Sequence, residues 1–165
     1  MNKTILLLFV VLLALPIVTA LDSDLWVYYN LNEGAGDMAI DSSPTKINAS
    51  LFLATYNQGL NGTGVEFTEK ISQINITKDH RLNQNINNTG LMLLAWIYMF
   101  DNSTTQVFFE KKSSFKLQWL NTKLDMSIPG KSDSSNNFFV GITENEWHQV
   151  VFLYNQTHMI LIFEG

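Results

Sequence analysis

Hydrophobic and polar positions along this chain fall into two regimes. From Ile5 to Val18 the apolar residues run on with almost no interruption. Beyond residue 20 they come in short runs of aromatic and β-branched residues, each followed by a cluster of Asn, Asp, Ser, Gly or Thr, and no stretch of ten residues holds a convincing period of 3.6. That rhythm predicts strands near Leu25–Leu31, Ala49–Leu53, Gly64–Phe67, Ser72–Ile76, Leu91–Met99, Gln106–Lys111, Phe115–Leu120, Lys123–Ile128, Asn137–Val140, His148–Tyr154 and Met159–Glu164. In Phe115-Lys116-Leu117-Gln118-Trp119 the apolar residues take every second position, so one face packs on a core while Lys116 and Gln118 look outwards. Leu91–Phe100 is apolar at nearly every position, as in a central strand covered on both faces. Asn121-Thr122 forms a tight turn between two strands. Strands joined by frequent turns predict an all-β fold of two antiparallel sheets packed face to face. The polar segments Asp101–Thr105 and Lys131–Asn136 are expected as surface connections, where binding groups usually sit.

The first regime has the layout of a secretory signal: Lys3, then an apolar run shorter than the roughly 20 residues of a membrane span, then Val18-Thr19-Ala20. Cleavage is expected between Ala20 and Leu21, which leaves residues 21–165 as one β-sandwich domain; an uncleaved N-terminal anchor is the alternative. Either way the remainder is delivered outside, as a secreted or cell-surface chain, with no membrane insertion after signal cleavage.

Composition narrows the partners. The chain carries 10 basic and 15 acidic residues, a formal net charge of −5, and loss of Lys3 makes the balance more acidic still. Nucleic acid and anionic membranes are therefore unsuitable partners. With no cysteine there are no disulfides and no thiolate metal site. Sequons begin at Asn48, Asn61, Asn75, Asn87, Asn102 and Asn155, each an N-glycosylation acceptor sequence for a cell that modifies its exported proteins.

Several segments in order then resemble the laminin-G-like, concanavalin A-like jelly-roll modules of secreted and surface proteins. Leu25–Gly36, which contains Leu31-Asn32-Glu33-Gly34-Ala35-Gly36, is similar to that family's first strand and L-x-E-G-x-G turn. Asp41-Ser42-Ser43 is similar to its D-S-S, and Gly59–Phe67 to its glycine-rich hairpin. Ala95-Trp96-Ile97 resembles its A-W-V strand, Phe109-Glu110-Lys111 its I-x-S-K strand end, Trp147-His148-Gln149-Val150 its W-H-H-V strand, and Phe163-Glu164-Gly165 its Y-V-D-G turn. The resemblance implies a jelly-roll sandwich that lacks the family's last strands, since such modules continue beyond that turn; a fragment is the expectation. Gly34, Gly36, Gly62 and Gly64 are expected where strands turn sharply. Trp26, Trp96 and Trp147 are expected as core pillars, with a sugar-stacking platform as the alternative, while Trp119, beside a polar turn, is the candidate for an exposed ligand-binding ring.

No catalytic residue is assigned. Glycoside hydrolases of similar fold need paired carboxylates, and their E-x-D-x-x-E string does not occur; Glu144 and Glu146, the nearest pair, precede Trp147 on a turn. His80, His148 and His158 lack metal-ligand spacing, and there is no Gly-x-Ser-x-Gly elbow. No cofactor is required. Calcium, which some laminin-G-like modules hold, could draw oxygen from Asp37, Asp41, Asp101 and Asp133, but no dense Asp-x-Asp run supports it. The expected function is a non-catalytic recognition module binding a glycan or cell-surface protein; a glycoside hydrolase-like enzyme and a purely structural surface-protein domain are the alternatives.

Overall fold

A computed structural model describes residues 25–76, 79–83, 86–120, 122–130, 135–138 and 141–164. The signal segment 1–20 with its Ala20-Leu21 junction, the residue Asp133 and most of the 131–136 loop lie outside them. No helix among the described residues is long and apolar enough to cross a membrane. The fold is all-β, built from several small antiparallel sheets, and the chain divides into two compact units, Met1–Asn83 and Gln84–Gly165.

The first unit contains short strands. β1 (Met38–Ala39) and β5 (Gln73–Ile76) flank β2 (Ala49–Phe52), and β3 (Ala54–Gln58) pairs with β4 (Thr63–Phe67). Between β3 and β4 the chain turns at Gly62, φ 87°, where a side chain would strain the backbone and its Cβ, 2.3 Å from Asn32 Oδ1, would displace the Asn32 amide. That close approach has a purpose: Asn32 Oδ1 accepts from the Thr63 amide at 2.8 Å, and Thr63 Oγ1 donates to the Leu31 carbonyl at 2.7 Å. A single 3₁₀ turn, His80–Asn83, follows β5.

The opening segment corrects one expectation. Leu25–Leu31 is not a strand; apart from one bridge, Tyr29 to Asp41, it has no ladder, and Leu31 takes φ 58°. Side chains hold it instead. The Tyr29 hydroxyl donates to the Ile47 carbonyl at 2.6 Å, and Asp41 accepts from the Tyr28 amide at 2.9 Å. Of the glycines expected at turns, Gly34, Gly36 and Gly62 have positive φ, whereas Gly64 lies inside β4.

In the second unit a one-turn helix, α1 (Ile86–Thr89), leads into β6 (Leu91–Tyr98). Then come β7 (Gln106–Lys111), β8 (Phe115–Leu120), β9 (Lys123–Ser127), β10 (Ser135–Phe138), β11 (Trp147–Tyr154) and β12 (Met159–Glu164). They form two sheets, ordered β10-β9-β8-β7 and β12-β11-β6. Leu120 pairs with Lys123 and Thr122 takes φ 65°; Asn121, the other residue of the expected turn, lies outside the described residues. Alternation then sorts the side chains. Leu117, Trp119, Leu124 and Met126 from one sheet meet Val150, Phe152 and Tyr154 from the other in a single apolar cluster, ringed by Leu91, Leu93, Ile97, Leu161 and Phe163. The two sheets of this unit thus share one core, which is sandwich-like.

Two tryptophans exchange their expected places, and Trp147, another expected core pillar, lies part-buried in the outward phase of β11, opposite His148, Val150 and Phe152. Trp119 is only 2 % exposed, because its position is in phase with buried Leu117, and its Nε1 donates to the Asn102 carbonyl at 2.6 Å. It cannot present a ring to a ligand from there. Trp96, expected as a core pillar, is 48 % exposed. β6 is not covered on both faces: Leu91, Leu93 and Ile97 turn inwards, while Met92, Leu94 and Trp96 occupy the opposite phase and stay half exposed. The segment 131–136 is likewise not all loop, since Ser135 and Asn136 begin β10.

Candidate functional site

The outer face of the β12-β11-β6 sheet carries the densest group of unused chemistry in the second unit. Antiparallel register aligns Trp96 with Gln149 and Gln149 with Glu164, so these three side chains form one row across the sheet. Neighbouring strands lie about 4.8 Å apart, which sets Trp96 and Glu164 roughly 10 Å apart at the backbone. Two positions along, Tyr98 pairs with Trp147, and their rings meet edge to face at 5.4 Å and 61°. Phe100, 65 % exposed, packs edge to face on Tyr98 at 5.0 Å. In the other direction the face becomes aliphatic: Leu94, Val151 and Ile162 form the next row, then Met92, Leu153 and Ile160.

The result is an aromatic corner, Trp96, Tyr98, Phe100 and Trp147, beside an amide and a carboxylate. Neither the Gln149 nor the Glu164 side chain is engaged in a hydrogen bond among the described residues. Flat apolar rings next to open polar groups suit a ligand with one apolar face and a hydroxylated rim. Sequence reasoning missed this grouping because it placed Trp96 and Trp147 in the core; β6 is apolar throughout, so its outward phase shows only in the register against β11.

The loops at the same end of these strands are tied down. The Asn102 amide donates to Glu144 Oε1 at 2.9 Å, Asn102 Nδ2 to the Ile142 carbonyl at 3.1 Å, and the Asn145 amide to the Met99 carbonyl at 2.8 Å. Glu144 is therefore a loop tie, and Glu146 is an exposed residue on the turn before β11. His148, 2 % exposed, faces the core: Nε2 donates to the Thr143 carbonyl at 2.8 Å, the ring stacks on Phe163 at 5.1 Å, and Nδ1 has no partner. His158 lies in the β11–β12 turn, and His80 sits in the first unit beside Asp79 at 3.7 Å.

Among the calcium candidates, Asp41 has its carboxylate enclosed by donors. The amides of Tyr28, Ser43 and Ile47 donate at 2.9, 2.8 and 2.7 Å, and the Ser43 and Thr45 hydroxyls each lie 2.8 Å from Oδ2. Those hydroxyls also reach the Trp26 carbonyl, so they divide their protons between two acceptors. Burial pushes the Asp41 carboxyl up, but these hydrogen bonds outweigh it and hold it down at about 2. Burial, then the Asp41 charge, pushes the Tyr29 hydroxyl up to about 12. With its lone pairs met by N–H and O–H groups, Asp41 acts as a latch that ties Tyr28, Ser43, Thr45 and Ile47 together. Asp101 Oδ1 accepts from the Ser103 amide at 2.8 Å, and Asp37 is exposed before β1. No group of three or more His, Asp or Glu side chains gathers among the described residues.

The sequons occupy unlike settings. Asn48 Oδ1 accepts from the Asp41 amide at 3.0 Å, and Asn102 is held as described above. Asn61 is exposed at the β3–β4 turn, Asn75 is exposed on β5, and Asn155 is exposed at the β11–β12 turn. Asn87 lies on α1, with its side chain outside the described residues.

Compared with known protein-family models, curated proteins and solved structures, the chain matches none.

Proposed function

We propose that the chain is an exported recognition module of the laminin-G-like, concanavalin A-like jelly-roll type, which binds carbohydrate without changing it covalently. The aromatic corner of the β12-β11-β6 face carries this reading. A pyranose ring presents C–H groups on its flat faces and hydroxyls at its edge. Trp96 offers a half-exposed ring for the flat face, while the Gln149 amide and the Glu164 carboxylate in the same row can bond the hydroxyls. The resemblance of the ordered motifs, the N-terminal signal layout and the missing paired-carboxylate string support the same reading.

The test is retention on immobilised cello-, chito- and laminari-oligosaccharides. Retention of the wild-type protein on at least one, reduced about 30-fold in Trp96→Ala, is the expected result. Failure to bind any of them at millimolar concentration counts against the proposal. The aliphatic rows favour a second reading, a cell-surface protein as partner. Leu94→Asn separates the two: it weakens protein binding strongly and leaves a sugar bound at the aromatic corner.

A further inference from the structure

We infer that Asn155 is the N-glycan acceptor selected by the fold among the sequons whose side chains are described. The sequon Asn155-Gln156-Thr157 forms the turn between β11 and β12, with the Asn155 amide donating to the His158 carbonyl at 3.2 Å and Gln156 at φ 78°. Three groups converge on Asn155 Oδ1: the Thr157 amide at 3.2 Å, the Thr157 hydroxyl at 3.0 Å and the His158 amide at 2.8 Å. Donors on the carbonyl oxygen draw electron density from the amide and make its N–H protons easier to remove. They also fix the side chain so that Nδ2, which makes no hydrogen bond among the described residues, is the atom left to the outside. The third residue of the sequon thereby already touches the acceptor side chain.

Other sequons lack one part of this arrangement. Asn102 spends Nδ2 on the Ile142 carbonyl and is partly buried. Asn48 is partly buried and uses its side chain to hold the Asp41 amide. Asn61 is exposed, but the hydroxyl of its sequon partner Thr63 donates to the Leu31 carbonyl, away from the acceptor. Asn75 lies in the β2–β5 ladder, opposite Ser50, with extended backbone and no turn to present it.

The modification is a displacement. Asn155 Nδ2 attacks the anomeric carbon of a lipid-linked oligosaccharide pyrophosphate. The N–C bond forms as the C–O bond to phosphate breaks, the lipid pyrophosphate leaves with the electron pair, and a transferase base takes one Nδ2 proton. The donor and the catalyst come from the exporting cell.

The experiment uses purified folded protein, a single-subunit oligosaccharyltransferase and that lipid-linked donor. Synthetic peptides spanning residues 99–106 and 152–159 serve as unfolded references, with an enzyme chosen because it accepts both. Glycopeptide mass spectrometry should find Asn155 modified at least about tenfold faster than Asn102 in the folded chain, against peptide rates within about threefold of each other. Thr157→Ser should retain the reaction and Thr157→Val should lose it, with unchanged circular dichroism. Equal rates at Asn102 and Asn155 in folded protein, or an Asn155 inert in the folded chain but reactive in its peptide, would overturn the inference. The comparison depends on neither export nor ligand binding, so its failure leaves the recognition proposal standing.

Discussion

In the first unit the most deeply buried side chains include Asp41 and Ser43, whereas in the second they include Trp119, Phe152, Leu117, Leu124 and Met126. Strands of two to five residues give the first unit little apolar surface to bury, and its opening segment has almost no ladder. Order there comes from side chains that satisfy backbone groups: Asp41, Asn32, Thr63 and Glu33, whose Oε1 accepts from the Ile40 amide at 2.9 Å. The second unit has strands of up to eight residues and two sheets sharing one apolar cluster. Polar latches are sensitive to protonation and to loss of one partner; an apolar core is sensitive to lost volume. The same chain should therefore fail in two different ways.

Removing core volume has the largest expected effect. Phe152→Ala should destabilise the second unit by about 3–5 kcal/mol, read in segment-resolved hydrogen exchange as lost protection in β6, β8 and β11. A cost under about 1 kcal/mol would mean that Phe152 is not a core residue. Asp41→Ala comes next, at about 3 kcal/mol on the first unit, because it leaves two buried amides and one part-buried amide without an acceptor. Exchange at Tyr28, Ser43 and Ile47 should accelerate first; if these amides stay protected, the latch is not what holds them.

Acid sharpens the contrast by about 2 kcal/mol. The Asp41 carboxyl sits lower in the folded state, near 2, than its ordinary value near 3.8, so its contribution is complete above about pH 4 and is lost as pH falls towards 2. An acid titration should loosen the first unit across that window, and Asp41→Ala should flatten the profile. A smaller effect, about 1–2 kcal/mol, is expected for Gly90→Ala. Gly90 has φ 78°, and a Cβ there would stand 2.6 Å from the Tyr154 carbonyl oxygen. Thermal melting checks it, and an unchanged midpoint would show that the turn can relax.

What the sequence made legible follows the same division. β12 occupies the predicted range Met159–Glu164, and the alternation in β8 marked Leu117 as buried, because period two is visible wherever polar residues interrupt apolar ones. Read consistently, that alternation also placed Trp119 inside; its neighbouring polar turn misdirected the reading. In Leu91–Tyr98 nearly every residue is apolar, so composition hides the phase, and only register against β11 shows that Trp96 faces out. β3 was missed because Thr55, Asn57 and Gln58 dilute the apolar signal. Leu25–Leu31 has strand-like composition, but side-chain latches, which have no period, took the place of a ladder. The aromatic corner was illegible for a related reason: it joins residues 96–100 to residues 147–164 through pairing that spacing does not encode.

The most direct test of recognition through that corner is to titrate folded wild-type protein and Trp96→Ala with the oligosaccharide that retains the wild type best, following binding by calorimetry and folding by melting. The account predicts that Trp96→Ala melts within about 1 kcal/mol of wild type and binds about 30-fold more weakly. Equal binding by the two proteins, or a Trp96→Ala chain that fails to fold as a core mutant would, contradicts it.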